Sequence, residues 1–199
     1  MITESQACRL RDGVRRAYSS AADSPTSKHP FPVGRAFAES LGYPAELLNS
    51  LPDAAMEAFA GVSNVAIFAD IPEGVSVLDL GCGAGLDTLI AARRVGAKGR
   101  VTGVDFSQSM LARARTASAE VGATNVAFLE GTAENIPCSA ASFDVAIVNG
   151  IFNLNPAREA IFRELARVLK AAGSAFVAEL ILKEPLPAEI CASEANWFA

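Results

Sequence analysis

Three glycines at alternate positions, Gly81, Gly83 and Gly85, separate an apolar run ending in an acid, Val77-Leu78-Asp79-Leu80, from a helix-forming stretch that begins at Leu86. Glycine has no Cβ and tolerates φ > 0, so such a loop can lie flat against a ligand. A helix starting directly behind it aims its unpaired N–H groups and positive dipole end at the same place, which suits a carboxylate or phosphate. A second short apolar run, Arg100-Val101-Thr102-Gly103-Val104, also ends in an acid, Asp105. A carboxylate there accepts hydrogen bonds from two vicinal hydroxyls, as the acid of a dinucleotide-binding fold does for a ribose. Two acids with a side-chain-poor bend between them point to a nucleotide-like ligand.

The spacing departs from the dinucleotide fingerprint, which requires its third glycine where Leu86 stands. Asp79, two positions before the first glycine, is a further departure. Both features resemble the first motif of class I S-adenosylmethionine-dependent methyltransferases, acidic-x-Gly-x-Gly-x-Gly. The resemblance implies S-adenosyl-L-methionine as cofactor, its methionine part on the loop Asp79, Gly81, Cys82, Gly83 and Gly85 and its ribose on Asp105. It also brings Phe106 and Met110 beside the cofactor and sets Thr132, Ala133 and Glu134 near the adenine. Asn149, after the fourth strand, stands where this class has a polar residue near the methionine end or the methyl acceptor. Read as residues alone, Glu134 is equally a solvated loop acid, Asn153 is a cap or turn residue, and Cys82 fills a loop, since no histidine lies near it.

A closer likeness runs from Leu41 to Leu182. Leu41-Gly42-Tyr43-Pro44, Ala91-Ala92-Arg93-Arg94-Val95-Gly96, Asn153-Leu154-Asn155-Pro156 and the stretch Phe162 to Lys170 are similar to segments of arsenite methyltransferases. Those enzymes hold trivalent arsenic on cysteine thiolates, and the thiols do not carry over. Val62 and Gly150 stand where the family has cysteines, and a further one would fall beyond Ala199. Soft trivalent arsenic needs thiolates, so the expected acceptor is another small molecule. A cofactor-binding relative without turnover is the alternative, with a nicotinamide-dependent oxidoreductase behind it.

These residues need a scaffold. Apolar runs predict strands at 75–80, 100–105, 126–130, 143–149 and 174–182, and helical periodicity predicts helices at 86–96, 107–121 and 156–170. Ser107 is placed as an N-cap, Gly122 as a helix stop, and Asn155-Pro156 as a helix start. Alternating strands and helices give an α/β fold, and the resemblance makes it a Rossmann-like class I methyltransferase sheet with helices on both faces. After the fifth strand only a short helix is expected, so the last two strands of that class are missing and the fifth strand is left as an edge. An uncovered edge favours association, here a homodimer. Upstream, residues 1–70 form a helical extension or lid before a cofactor-binding domain at 71–199. A helix over 3–21 is followed by a proline-rich break at 24–32 and helical pieces at 34–42, 44–50 and 53–60. Lys28 to Phe37, with Tyr18 upstream, is the expected lid, and its His29, the sole histidine, is a candidate general base.

Composition narrows the partners. The chain has 199 residues, 51% of them hydrophobic, enough for one core. With 17 Lys+Arg against 22 Asp+Glu it carries −5 and no basic run, which disfavours a nucleic-acid partner. Cys8, Cys82, Cys138 and Cys191 are scattered without metal-ligand spacing, so no metal site is expected. No apolar run reaches membrane-span length, and no signal pattern opens the chain, so a cytoplasmic setting is expected.

Overall fold

The computed structural model describes residues 4–184. A long helix, α1 (Glu4–Asp23), opens the chain, and four short ones follow: α2 (Arg35–Ser40), α3 (Ala45–Asn49), α4 (Asp53–Met56) and α5 (Val65–Phe68). Strands and helices then alternate as β1 (Ser76–Leu80), α6 (Leu86–Val95), β2 (Arg100–Asp105), α7 (Gln108–Glu120), β3 (Val126–Glu130), β4 (Phe143–Asn149), α8 (Arg158–Val168) and β5 (Leu169–Ala178). The five strands form one parallel sheet in the order β3-β2-β1-β4-β5. Strand order reverses between β1 and β4, and beyond the carboxyl ends at such a point open α/β sheets bind ligands.

Each strand divides its side chains between two cores, as a period of two requires. Val77, Val101, Val145 and Ile147 pack with α6 and with residues of α2–α5 such as Leu48, Met56 and Val65. Leu78, Leu80, Ala146 and Val148 pack against Ile161, Leu165 and Val168 of α8. Helices therefore cover both faces. Residues 38–71 share the first core with the sheet, so this part of the N-terminal extension is built onto the same body. Among the described residues no helix is long and apolar enough to cross a membrane.

Four elements differ from the sequence reading. The helical piece expected at 53–60 is only α4, ending at Met56. Helix α8 begins at Arg158, because Asn155 turns its side chain onto the Ala157 amide (2.8 Å) and does not cap from the expected position. β5 starts at Leu169, directly from α8, and ends at Ala178. Its pairing with β4 slips between Phe143 and Val145, and at Gly173 a Cβ would sit 3.0–3.1 Å from three carbonyl oxygens. That close approach lets the chain bulge and re-register, which strand periodicity does not signal. Helix α5 was not expected, since its four residues are too few to show a period. β5 is an edge among the described residues, with Leu180, Ile181 and Leu182 exposed beyond it. The short helix expected after it lies outside the described residues.

Ile161 is wholly buried beneath the β1/β4 centre of the sheet. Replacing it with alanine removes three carbon atoms and leaves a cavity, so Ile161→Ala is expected to lower unfolding free energy by about 3 kcal/mol. Urea denaturation with an unchanged slope would show this.

Candidate active site

The bend after β1 depends on its glycines. Gly81, Gly83 and Gly85 have φ of 78°, 52° and 90°. A Cβ at Gly81 would meet Ile151 Cγ2 at 2.4 Å, and one at Gly85 would meet Ala114 Cβ at 3.1 Å. Gly85 thus lets α6 and α7 approach, and caps α6 in the left-handed conformation. Gly83 differs: a Cβ there finds nothing nearer than Met110 Sδ at 4.0 Å. The space above it is room for a ligand.

Two adjoining cavities open there, sharing Gly81, Asp105, Phe106, Ile151 and Leu154. Asp79, Cys82, Gly83, Met110 and Asn149 line the first. Thr132, Ala133 and Glu134 line the second. Of the residues expected at the site, only Gly85 and His29 line neither cavity. His29 is half-buried, its Nε2 2.9 Å from the Ser24 carbonyl oxygen and its ring stacked beside Phe31 at 6.3 Å. The proline-rich break holds it outside both cavities.

Three buried carboxylates line the first cavity, and no lysine, arginine or histidine does. Asp105 accepts from the Gly83 amide (2.9 Å) and the Ser107 amide (2.8 Å), and burial pushes its carboxyl up to about 6. Asp79 accepts from Thr88 Oγ1 (2.5 Å); burial raises it well above the usual carboxylate range, with the charge of Asp87 as the next cause. Asp87, in the first turn of α6, accepts from Tyr43 Oη (2.6 Å) and Asn149 Nδ2 (2.8 Å) and is raised by burial. The Cys82 thiol is likewise pushed up by burial and the neighbouring Asp105 and Asp79, which disfavours the thiolate.

Sequence reasoning missed Asp87 and Tyr43. Their partners lie far away in the chain, and only folding joins them. Asn149, which lines the first cavity, is also held by partners of its own. Its Oδ1 accepts from the Val62 and Ser63 amides (2.8 and 3.1 Å), while Nδ2 donates to Ser63 O (2.7 Å) and Asp87. The amide fastens the 61–63 segment to the sheet as a cavity wall. That segment brings Val62 against Gly150, where a Cβ would lie 2.8 Å from Val62 Cγ1. The two positions at which thiols were looked for are therefore neighbours, filled by a valine and a bare backbone.

Cover comes from α1. Arg11 pairs with Glu134 (3.0 Å), whose other oxygen accepts from Asn155 (2.7 Å). The Arg15 guanidinium lies 5.8 Å from the Phe106 ring centre, and the Ser19 and Ser107 hydroxyls are 2.9 Å apart. Tyr18 reaches the first cavity, its ring stacked on Phe31 at 4.5 Å. From the expected lid, then, Phe31 backs the tyrosine, and α1 itself forms the roof.

Asn149→Ala would leave the half-buried Val62 and Ser63 amides and Asp87 short of partners, which is expected to cost about 2 kcal/mol. Hydrogen exchange should show protection falling at 61–64 and persisting in α8.

The sequence matches the profile of a methyltransferase-domain family over residues 71–198. It is 36% identical over 152 residues to the arsenite methyltransferase of Halobacterium salinarum, covering 76% of this chain and 39% of that protein. It is 38% identical over 100 residues to the demethylmenaquinone methyltransferase of Lactococcus lactis, covering 50% and 40%. The fold matches a crystal structure of an arsenic(III) S-adenosylmethionine methyltransferase from Chlamydomonas reinhardtii with a TM-score of 0.62 at 28% identity, over 82% of this chain and 56% of that one. The chain spans about two fifths of the length of these curated relatives. Because the matched stretch contains the whole sheet and the glycine bend from which both cavities open, the chain belongs to the S-adenosylmethionine-dependent methyltransferase-domain family.

Proposed function

We propose that the protein binds S-adenosyl-L-methionine in this cleft and transfers its methyl group to a small-molecule acceptor. The observation that carries the reading is the first cavity, which holds three buried carboxylates without a cationic side chain and so calls for a positively charged ligand. S-adenosylmethionine has two positive groups, a sulfonium and an ammonium, and its sulfonium supplies a methyl already activated for displacement. The residues fit it in parts. Gly83 leaves the backbone open to the methionine portion. Asp105, shared by both cavities, stands where a ribose would join the two ends. Phe106, Thr132, Ala133 and Glu134 offer the second cavity to the adenine.

The chain's own work is then positioning and exclusion of water. Asn149 and Tyr43 set the wall at 61–63, and α1 roofs the cleft. No side chain is assigned as a base, and none is required for an acceptor that is already nucleophilic.

The acceptor side is apolar, with Phe59, Ala60, Ile151 and Leu154 on the cavity wall. That favours an organic acceptor. Arsenite fits poorly, because Val62 and Gly150 present no thiol. Among the described residues Cys8 is exposed, Cys82 is buried and Cys138 lies outside both cavities. No group of three metal-binding side chains occurs among them.

Calorimetry should show binding of S-adenosylhomocysteine and no binding of NAD. Asp105→Asn is expected to weaken the former at least about tenfold, in line with the loss of a charge-assisted hydrogen bond. Burial disfavours the ionised form of Asp105, so the free protein takes up a proton there as pH falls through about 6. Affinity should therefore drop on the acid side of that value, and a flat profile between about pH 5 and 7.5 would count against the ribose role. Transfer of labelled methyl to an acceptor panel should succeed with organic compounds and stay at background with arsenite. NAD binding, or binding without any transfer, would replace the reading with an oxidoreductase or a non-catalytic relative respectively.

A further inference from the structure

The first turn of α6 serves two acids from adjacent residues. Thr88 donates to Asp79 at the end of β1, while Asp87 faces Tyr43 and Asn149. Their supply of donors is unequal. Asp87 receives the Tyr43 hydroxyl and the Asn149 amide. Asp79 receives the Thr88 hydroxyl. Two buried carboxylates facing one cavity do not both stay charged without a cation, and the one with fewer donors takes the proton.

We propose that Asp87 is the charge-recognition residue of the cleft: kept ionised by its donors, it holds a proton on Asp79 until a cationic ligand displaces it, so the cleft distinguishes sulfonium from neutral thioether. The inference rests on the S-adenosylmethionine reading above and deepens it. The exchange balances: Asp79 passes from carboxylic acid to carboxylate, its proton leaves to solvent, and the ligand's positive charge replaces it. No bond of the ligand changes. Loss of the methyl removes the sulfonium charge, so the product binds with the proton restored and is held less tightly.

Groups facing the pair from the surrounding elements agree with this. Asp105 on β2 adds negative charge, and the Tyr43 and Cys82 protons are held firmly, both by burial first. Tyr18 from α1 is likewise raised by burial and by Asp105. Asn149 of β4 does not titrate, and α5 contributes only apolar side chains. No residue lining the cavity can donate a compensating positive charge.

The test is calorimetry on the full chain in buffers of different ionisation enthalpy, from about pH 5.5 to about pH 8. The ligands are S-adenosylmethionine, S-adenosylhomocysteine and the amine-bearing analogue sinefungin. Wild-type protein should release up to about one proton more with the two cations than with the thioether. In Asp87→Asn that excess should vanish and the preference for S-adenosylmethionine over S-adenosylhomocysteine should fall about tenfold. Tyr43→Phe should shift both in the same direction by less. Equal proton release for all three ligands by the wild type overturns the proposal without recourse to any variant. So does an undiminished preference in an Asp87→Asn protein that still binds S-adenosylhomocysteine. If the wild type binds none of the three, the cofactor reading itself falls.

Discussion

The hydrogen bond from the Gly83 amide to Asp105 is the constraint on which the site depends. It ties the bend after β1 to the end of β2, so that two neighbouring strands deliver one continuous surface. The same carboxylate takes the Ser107 amide at the start of α7, and Ser107 Oγ in turn caps that helix through Met110 N. One buried acid therefore sets the bend, the strand end and the following helix together. It cannot do so without keeping charge in a poorly solvated place, and its raised proton affinity is the mark of that cost.

A second network closes the opposite wall. Asn149 at the end of β4 hydrogen-bonds both amides of Val62–Ser63 and reaches Asp87, while Tyr43 ties the turn after α2 to the same acid. Every buried side-chain polar atom among the described residues has a partner. A fully paired network of this kind is rigid. The segment it pins belongs to the N-terminal region, ahead of the residues matched by the methyltransferase-domain profile, so this wall is built from outside the common sheet. Val62 packed on Gly150 gives that wall an apolar character where thiol chemistry would need sulfur.

Much of the sheet was legible because its signals are local. An apolar run, an acid, three glycines and a helix start lie within a dozen residues, and β1 to β4 fall within a residue of their expected bounds. What escaped depends on contacts distant in sequence. Asp87 looks like any first-turn acid until Tyr43 and Asn149 arrive beside it. Asn149 looked available for a ligand, yet backbone amides of a remote loop claim its oxygen. The early start of β5 was hidden because α8 passes into strand without a turn, the adjustment falling on a bulge at Gly173. His29 carried chemistry by type alone, and the fold leaves it beside Phe31, outside both cavities.

The roof over the cleft has a kinetic consequence. Helix α1 is fastened by an ion pair in which the Arg11 side chain is 41% exposed, a pair of serine hydroxyls, and a guanidinium resting on Phe106. Those polar contacts each contribute little to holding the helix down. Burial holds it as well: Leu10, Val14, Ala21 and Ala22 are buried, and Ala21 and Ala22 pack with Ala84 and Met110. Any opening of the roof exposes that apolar surface, a cost the polar fastenings alone would not impose.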